Sequence, residues 1–284
     1  MDGVRTRRPY DVRVATTTYR EVRPAQRTRV ARYRHSLWLL TKRDLHVRYA
    51  TNALGYVWSI LDPLLMAGIY YFVFVVIFQR GNNVGESPYI VFLLAALLPW
   101  TWFNGVVSDN TRAFSREAKL IRSTSIPRTI WINRIVLSKG IEFLLSLPVI
   151  AFFAIISGAT LRIDVIFLPL AVAIEGVLLV GLGLLVAPIC VFFKDLERAI
   201  KLFLRLLFYA STVMYQITDI PAGGLRTVAE LNPLVGIFGI YRSAFFAHSL
   251  DWKLVIIAAL GSLIALLLGI LVFRRSIRSV LKEM

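Results

Sequence analysis

The sequence predicts an all-α protein that crosses a membrane several times, and three observations carry that prediction. Of its 284 residues, 57% are hydrophobic and only 18% charged, with a mean hydropathy of +0.66. Soluble domains stand near 45–50% apolar and about 25% charged. Apolar runs close to the roughly 20 residues needed to cross about 30 Å of hydrocarbon recur along the chain. Finally, 28 of the 33 Lys and Arg residues fall in alternate connections. With those on the cytoplasmic side only five remain outside, which orients both termini inward and demands an even number of spans; six fits best. The net charge of +16 follows from this sidedness rather than from a nucleic-acid partner.

Residues 1–35 form a basic tail with nine Arg residues up to Arg32 and little apolar periodicity. It is expected to be disordered and drawn to anionic lipid at about 1 kcal/mol per basic residue near the surface. No apolar segment of a cleavable signal follows its first charges. From Ser36 to Tyr49, apolar Leu37, Leu40, Leu45 and Val47 alternate with charged residues, and Trp38 and Tyr49 suit a headgroup boundary. That pattern predicts an interfacial helix. Gly55 permits a turn, and Trp58 opens a first span to Phe78, with Asp62-Pro63 in its first turns. Further spans are expected at Tyr89–Val107, from Trp131 or Ile141 to Ile156, at Val165–Val191 with a bend at Pro188, at Leu202–Ile217, and at Leu254–Phe273. Arg205 of the fifth is expected to snorkel toward the headgroups.

Between the second and third spans, Arg112–Lys139 carries seven cations, so it belongs in water or headgroups. Phe114, Ala118 and Ile121 would share one face of a short helix that Pro127 ends near Ser125. Such a helix suits docking on another protein; a basic loop lying on lipid is the alternative. Outside, Thr218–Trp252 is too long for a simple loop and too short to cross twice. It would form half-helices sheltered by protein, or a globular cap.

No GxxxxGK[ST] loop occurs, so the chain has no phosphate loop of its own for ATP. His35, His46 and His248 are scattered, the single Cys190 lies in an apolar run, and GxSxG and HExxH are absent. No metal site or catalytic residue is expected. Glu175, deepest in the fourth span, should face protein or water, since a charged acid facing lipid costs about 2.5–3.5 kcal/mol. One such acid does not make a proton relay.

Arg43-Asp44-Leu45, Arg48-Tyr49, Leu54-Gly55, Trp58 and Pro63 resemble the opening motif of type-2 ABC exporter permeases, of the kind that handle O-antigen, teichoic acid or cell-wall galactan. So do Leu97-Leu98-Pro99-Trp100 with Phe103, Ile126-Pro127-Arg128, and Asn232-Pro233-Leu234 followed by Tyr241-Arg242. The resemblance runs in order from Leu37 to Arg275; the Arg-rich tail departs from it, as does Ile126 where an aromatic is expected.

That resemblance implies one transmembrane domain over residues 36–284, acting as a homodimeric permease in a bacterial plasma membrane. Two copies of a separate cytoplasmic ATPase would hold the ATP and magnesium, and the cargo would be a polyprenyl-pyrophosphate-linked polysaccharide. It also implies roles. Phe114, Arg116, Lys119, Ile121, Arg122, Ile126, Pro127 and Arg128 would belong to a coupling helix seated on the ATPase. Arg43, Asp44, Arg48 and Tyr49 would belong to a gate helix near the pyrophosphate. Tyr70, Tyr71, Trp100, Trp102, Phe103 and Tyr215 would line the path, and Asn232, Pro233, Tyr241 and Arg242 a re-entrant outer segment. An exporter of drugs or small lipids is the runner-up, and a membrane-embedded glycosyl- or acyltransferase is the third reading.

Overall fold

The computed structural model describes residues 28–50, 57–77, 86–247 and 249–283, and every long regular element among them is a helix. The expectations for most of the tail, the Gly55 turn and His248 lie outside these residues. In chain order the helices are α1 (Arg29–Ala50), α2 (Trp58–Tyr71, continued by a wider turn over Phe72–Ile77), α3 (Tyr89–Asn110), α4 (Ala118–Ser123) and α5 (Ile130–Ile156). They continue with α6 (Leu168–Phe192), α7 (Leu196–Ala210), α8 (Gly224–Glu230), α9 (Pro233–Ser243) and α10 (Trp252–Glu283).

Four helical stretches are long and apolar enough to cross a membrane: Tyr89–Asn110, Ile130–Ile156, Ile163–Phe192 and Trp252–Glu283. α3 is the axis of the bundle, packed by α2, α5, α6, α7 and α9, and Phe92, Leu93, Leu94 and Leu98 are fully enclosed. α6 and α10 run side by side. A side chain added at Gly181 would strike the backbone at Ala265–Leu266, and one at Gly269 would strike Gly181, so two glycines let the backbones touch, as small residues do between membrane helices.

Four boundaries differ from expectation. α1 begins at Arg29 rather than Ser36, inside the stretch expected to be disordered, because Tyr33 ties its first turns to the start of α5 through Thr129 (3.3 Å) and Asn133 (2.8 Å). α5 begins at Ile130, so Arg134 and Lys139 belong to a long helix and not to the basic connection. α6 continues through Pro188 to Phe192, preceded by a 3-10 turn at Ile163–Phe167.

The fifth expected span starts earlier and stops at Ala210, giving 15 residues, about 22 Å against the roughly 30 Å of hydrocarbon. The cause lies just beyond it. Thr212 takes a positive φ of 49°, and the carbonyls of Val213 and Tyr215 accept from the Arg242 guanidinium instead of continuing the helix.

Candidate functional site

α3 ends at Asn110, and the chain turns through 111–117 into the six-residue α4 before extending to Pro127. Phe114 lies in the turn ahead of α4 rather than on one helix with Ile121 as the spacing predicts, and both side chains point inward. Both are buried against Trp131, Ile132, Phe273 and Val280. The outward side carries Arg116, Lys119 and Arg122, all exposed, with Pro127 exposed and Ile126 half-buried beyond them. Arg128 donates to the carbonyls of Thr124 (3.0 Å) and Ile126 (3.1 Å), closing the bend. The elbow therefore separates into residues that hold it to its own chain and residues free to meet a partner.

α1 lies over this elbow and is tied to it by charge. Arg43 donates to Glu117 at 2.6 Å and to Asp44 at 3.2 Å. Arg134 of α5 reaches the same two acids, Asp44 at 2.6 Å and Glu117 at 3.4 Å. The four side chains form a ring of alternating sign joining α1, the elbow and α5, with Arg134 buried and its guanidinium 5.0 Å over the Trp131 ring. One turn on, Arg48 pairs with Glu142 (3.0 Å) and Asp109 (3.2 Å), and Lys139 with Glu142 (2.8 Å). Arg43, Asp44, Arg48, Asp109, Glu117 and Arg134 line a polar cavity of about 450 Å³. Glu142 is thus matched by two cations and is no isolated acid within a span.

Sequence reasoning named Arg43, Asp44 and Arg48 but missed Glu117, Arg134, Asp109 and Glu142 as their partners. Nothing local could have paired them, since Arg43 and Glu117 stand 74 positions apart. Tyr49 lies in α1, its side chain outside the described residues. A further tie joins the elbow to α7: Arg112 donates to Glu197 at 2.6 Å, and Lys201 does so at 2.5 Å.

The six aromatic residues expected along one path do not converge. Tyr70 stacks on Phe208 at 5.7 Å, and Trp100 packs between Phe208 (5.3 Å) and Phe103 (5.5 Å). These border a groove of about 410 Å³ between α2, α3 and α7. Trp102 turns the other way, donating to the Val136 carbonyl at 3.1 Å and stacking on Phe143 at 5.4 Å, as a core residue of the α3–α5 contact. Phe103 is buried, Tyr71 is exposed, and Tyr215 donates to the Tyr209 carbonyl at 2.8 Å, beyond the far end of α7.

At the end of the bundle away from the elbow, Asn232 caps α9 by accepting from the Leu234 amide (3.1 Å) while donating to Ser211 (2.8 Å), and Pro233 takes the first helical position. α9 is 11 residues long and packs against α3, α6 and α10, pressed onto α10 where a side chain at Gly236 would strike Leu254. Arg242 is no surface charge, contrary to its place among the five outer cations. It is buried over the Phe92 ring at 3.6 Å, bonded to the carbonyls of Phe92, Val213 and Tyr215. Glu175 is fully enclosed, as expected of an acid in a span. It accepts from the Tyr241 hydroxyl at 2.9 Å, and its other oxygen has no partner among the described residues.

Residues 35–246 match the model of the ABC-2 type transporter family, from within α1 through α9. The chain belongs to that family. Among curated relatives, the O-antigen export system permease protein RfbA of Klebsiella pneumoniae is 30% identical over 240 residues, 84% of this chain and 91% of its own. The protein of the same description from Myxococcus xanthus is 30% identical over 219 residues, covering 77% and 83%. The polysialic acid transport protein KpsM of Escherichia coli is 22% identical over 241 residues, covering 82% and 90%. In this ABC-2 chain the matched region holds the elbow, the charged ring and the aromatic groove, and leaves out α10, whose far end nonetheless supports the elbow.

Proposed function

We propose that this ABC-2 chain is the permease subunit of an ATP-driven exporter that passes a polyprenyl-pyrophosphate-linked polysaccharide outward across a bacterial plasma membrane. The observation that carries the proposal is the elbow. Its exposed Arg116, Lys119 and Arg122 stand beside buried anchors and are wired through Glu117 to Arg43 of α1. That is the arrangement a coupling element needs if force comes from another subunit and is spent at a gate. Sustained similarity to O-antigen and capsule-type export permeases supports the cargo class. In this reading α1 is the gate helix, and hydrolysis belongs to a separate cytoplasmic ATPase, two copies of which serve a homodimer of this chain.

The topology follows from the same reading. α2, α3, α5, α6, α7 and α10 are the six spans, both termini are cytoplasmic, and α8–α9 form the re-entrant segment sheltered between α3, α6 and α10. α2 and α7 are the short members, and their outward apolar residues, such as Leu65, Ile69, Leu202 and Leu206, suit a face between the two copies. Tyr70 and Trp100 belong to the path; Trp102 and Phe103 shape it from behind. The pairing of Arg43 and Arg48 with acids makes their contact with pyrophosphate an exchange of one anion for another.

Depletion of the chain in its host tests the cargo: a lipid-linked glycan should accumulate on the inner face and disappear from the outside. In vesicles, the purified chain should move nothing when given nucleotide until its ATPase is added. Nucleotide-driven export by the chain alone would overturn the proposal, as would depletion that leaves every surface glycan unchanged.

A further inference from the structure

α3 is enclosed almost everywhere its residues are apolar and opens along one polar face. In its half nearest the elbow Trp100, Trp102, Phe103, Val106 and Val107 are buried, whereas Thr101 and Ser108 are half-exposed and Asn104 is exposed. The three polar residues are spaced by three and four, so they share one face and extend for about 10 Å at 1.5 Å per residue. That face is the floor of the groove between α2, α3 and α7, and Lys201 and Arg205 stand over it from α7.

The groove's polar groups are not spent on the protein. Thr101 bonds back to its own helix at Leu98, but the Asn104 amide and the Ser108 hydroxyl have no hydrogen-bond partner among the described residues. Lys201 is matched by Glu197; Arg205 has no acid partner among the described residues. An amide left in hydrocarbon without a partner is costly, and a guanidinium is costlier still. The flanks are the opposite in character: Met66 and Ile69 of α2 and Leu202 and Leu206 of α7 are exposed and apolar. A polar strip sunk between apolar flanks, in the half of the helix nearest the elbow, is a wet trench in an otherwise dry surface.

We propose that Asn104, Ser108 and Arg205 form a binding subsite for a phosphorylated sugar. Asn104 offers two donors and an acceptor and Ser108 a hydroxyl, which together match neighbouring hydroxyls on a sugar ring. Arg205 presents a planar fork that fits a phosphate through two parallel hydrogen bonds. This subsite rests on the export reading above and adds to it residues that touch the cargo where it bears charge. It does not depend on the aromatic rings alongside.

Thiol accessibility tests it, using the full chain in vesicles of neutral phosphatidylcholine. The native Cys190 is buried and gives a silent background. Asn104→Cys and, separately, Ser108→Cys should react with a membrane-impermeant maleimide at a rate near that of Ser125→Cys, which is exposed on the elbow. Leu263→Cys, on the apolar face of α10, should stay unreactive. Glucose 1-phosphate should slow the reaction at Asn104→Cys by about tenfold, equivalent to about 1.4 kcal/mol, and Arg205→Gln should abolish the slowing.

If both groove variants are as silent as Leu263→Cys, the trench is dry and the subsite does not exist. If neutral maltoheptaose protects as well as the phosphate, or Arg205→Gln changes nothing, the role given to Arg205 is wrong. If phosphatidylglycerol vesicles protect without added sugar, the anion is a lipid headgroup and the subsite is overturned. None of these readouts needs transport. A chain that exports something other than glycan would still show them, so the two proposals fail separately.

Discussion

Arg134 shows how a residue can be read correctly by type and wrongly by place. Its charge looked like part of a solvated basic connection, yet it is buried in α5 against Asp44, Glu117 and the Trp131 ring. Breaking a buried pair by removing one partner leaves an unmatched charge and costs about 3–5 kcal/mol. Arg134→Ala should therefore lower the melting temperature of the detergent-solubilised chain far more than Arg43→Ala, whose side chain is 37% exposed and whose pairs are worth about 0–1 kcal/mol. Equal effects would mean the ring is not buried. Glu175 poses the complementary case. Tyr241→Phe removes the one group among the described residues that donates to it and should cost about 1–3 kcal/mol, whereas Glu175→Gln keeps an acceptor for Tyr241 and should stay close to wild type in the same assay. Asp44 and Arg134 stand 90 positions apart and Glu175 and Tyr241 stand 66 apart, so composition and spacing gave these charges without their mates.

At the scale of the element, the elbow divides the eight residues expected to couple. Phe114 and Ile121 are anchors, and Phe114→Ala should cost about 3–5 kcal/mol through the cavity it leaves, read as loss of a monodisperse peak on heating. Reversal of charge at Arg116, Lys119 and Arg122 should leave that peak untouched while abolishing capture of the ATPase and its transport-coupled hydrolysis. If the triple reversal still couples, the docking surface lies elsewhere. The tie between elbow and α7 can be cut directly: Glu197 accepts from both Arg112 and Lys201, so Glu197→Gln should lengthen the distance between spin labels on the elbow and on α7. That Phe114 and Ile121 act together was legible from their spacing; that they turn inward was not, because this depends on Phe273 and Val280 far downstream.

For the whole molecule, the long spans were legible because hydrocarbon thickness imposes a length and an apolar count that few other structures need. Tyr89, Ile156 and the start of α10 fall where those limits put them. α7 was legible only in part. Its two-faced character and the capture of the Val213 and Tyr215 carbonyls by Arg242 end it before the apolar run ends. The subsite floor in α3 was written in the sequence as Thr101, Asn104 and Ser108, yet without α7 above it there was nothing to set it apart from ordinary polar residues in a span.

α10 runs for 32 residues, about 48 Å at 1.5 Å per residue. Some 30 Å of that suffices for the bilayer, so its last turns rise above the membrane plane as a post, and Val280 near the top meets the apolar underside that carries Ile121. On the docking proposed above, the post would act as a height gauge that sets how far from the headgroups the ATPase sits. Removing one helical turn from it would lower the seat by about 5 Å, leaving a complex that assembles but pushes at the wrong level.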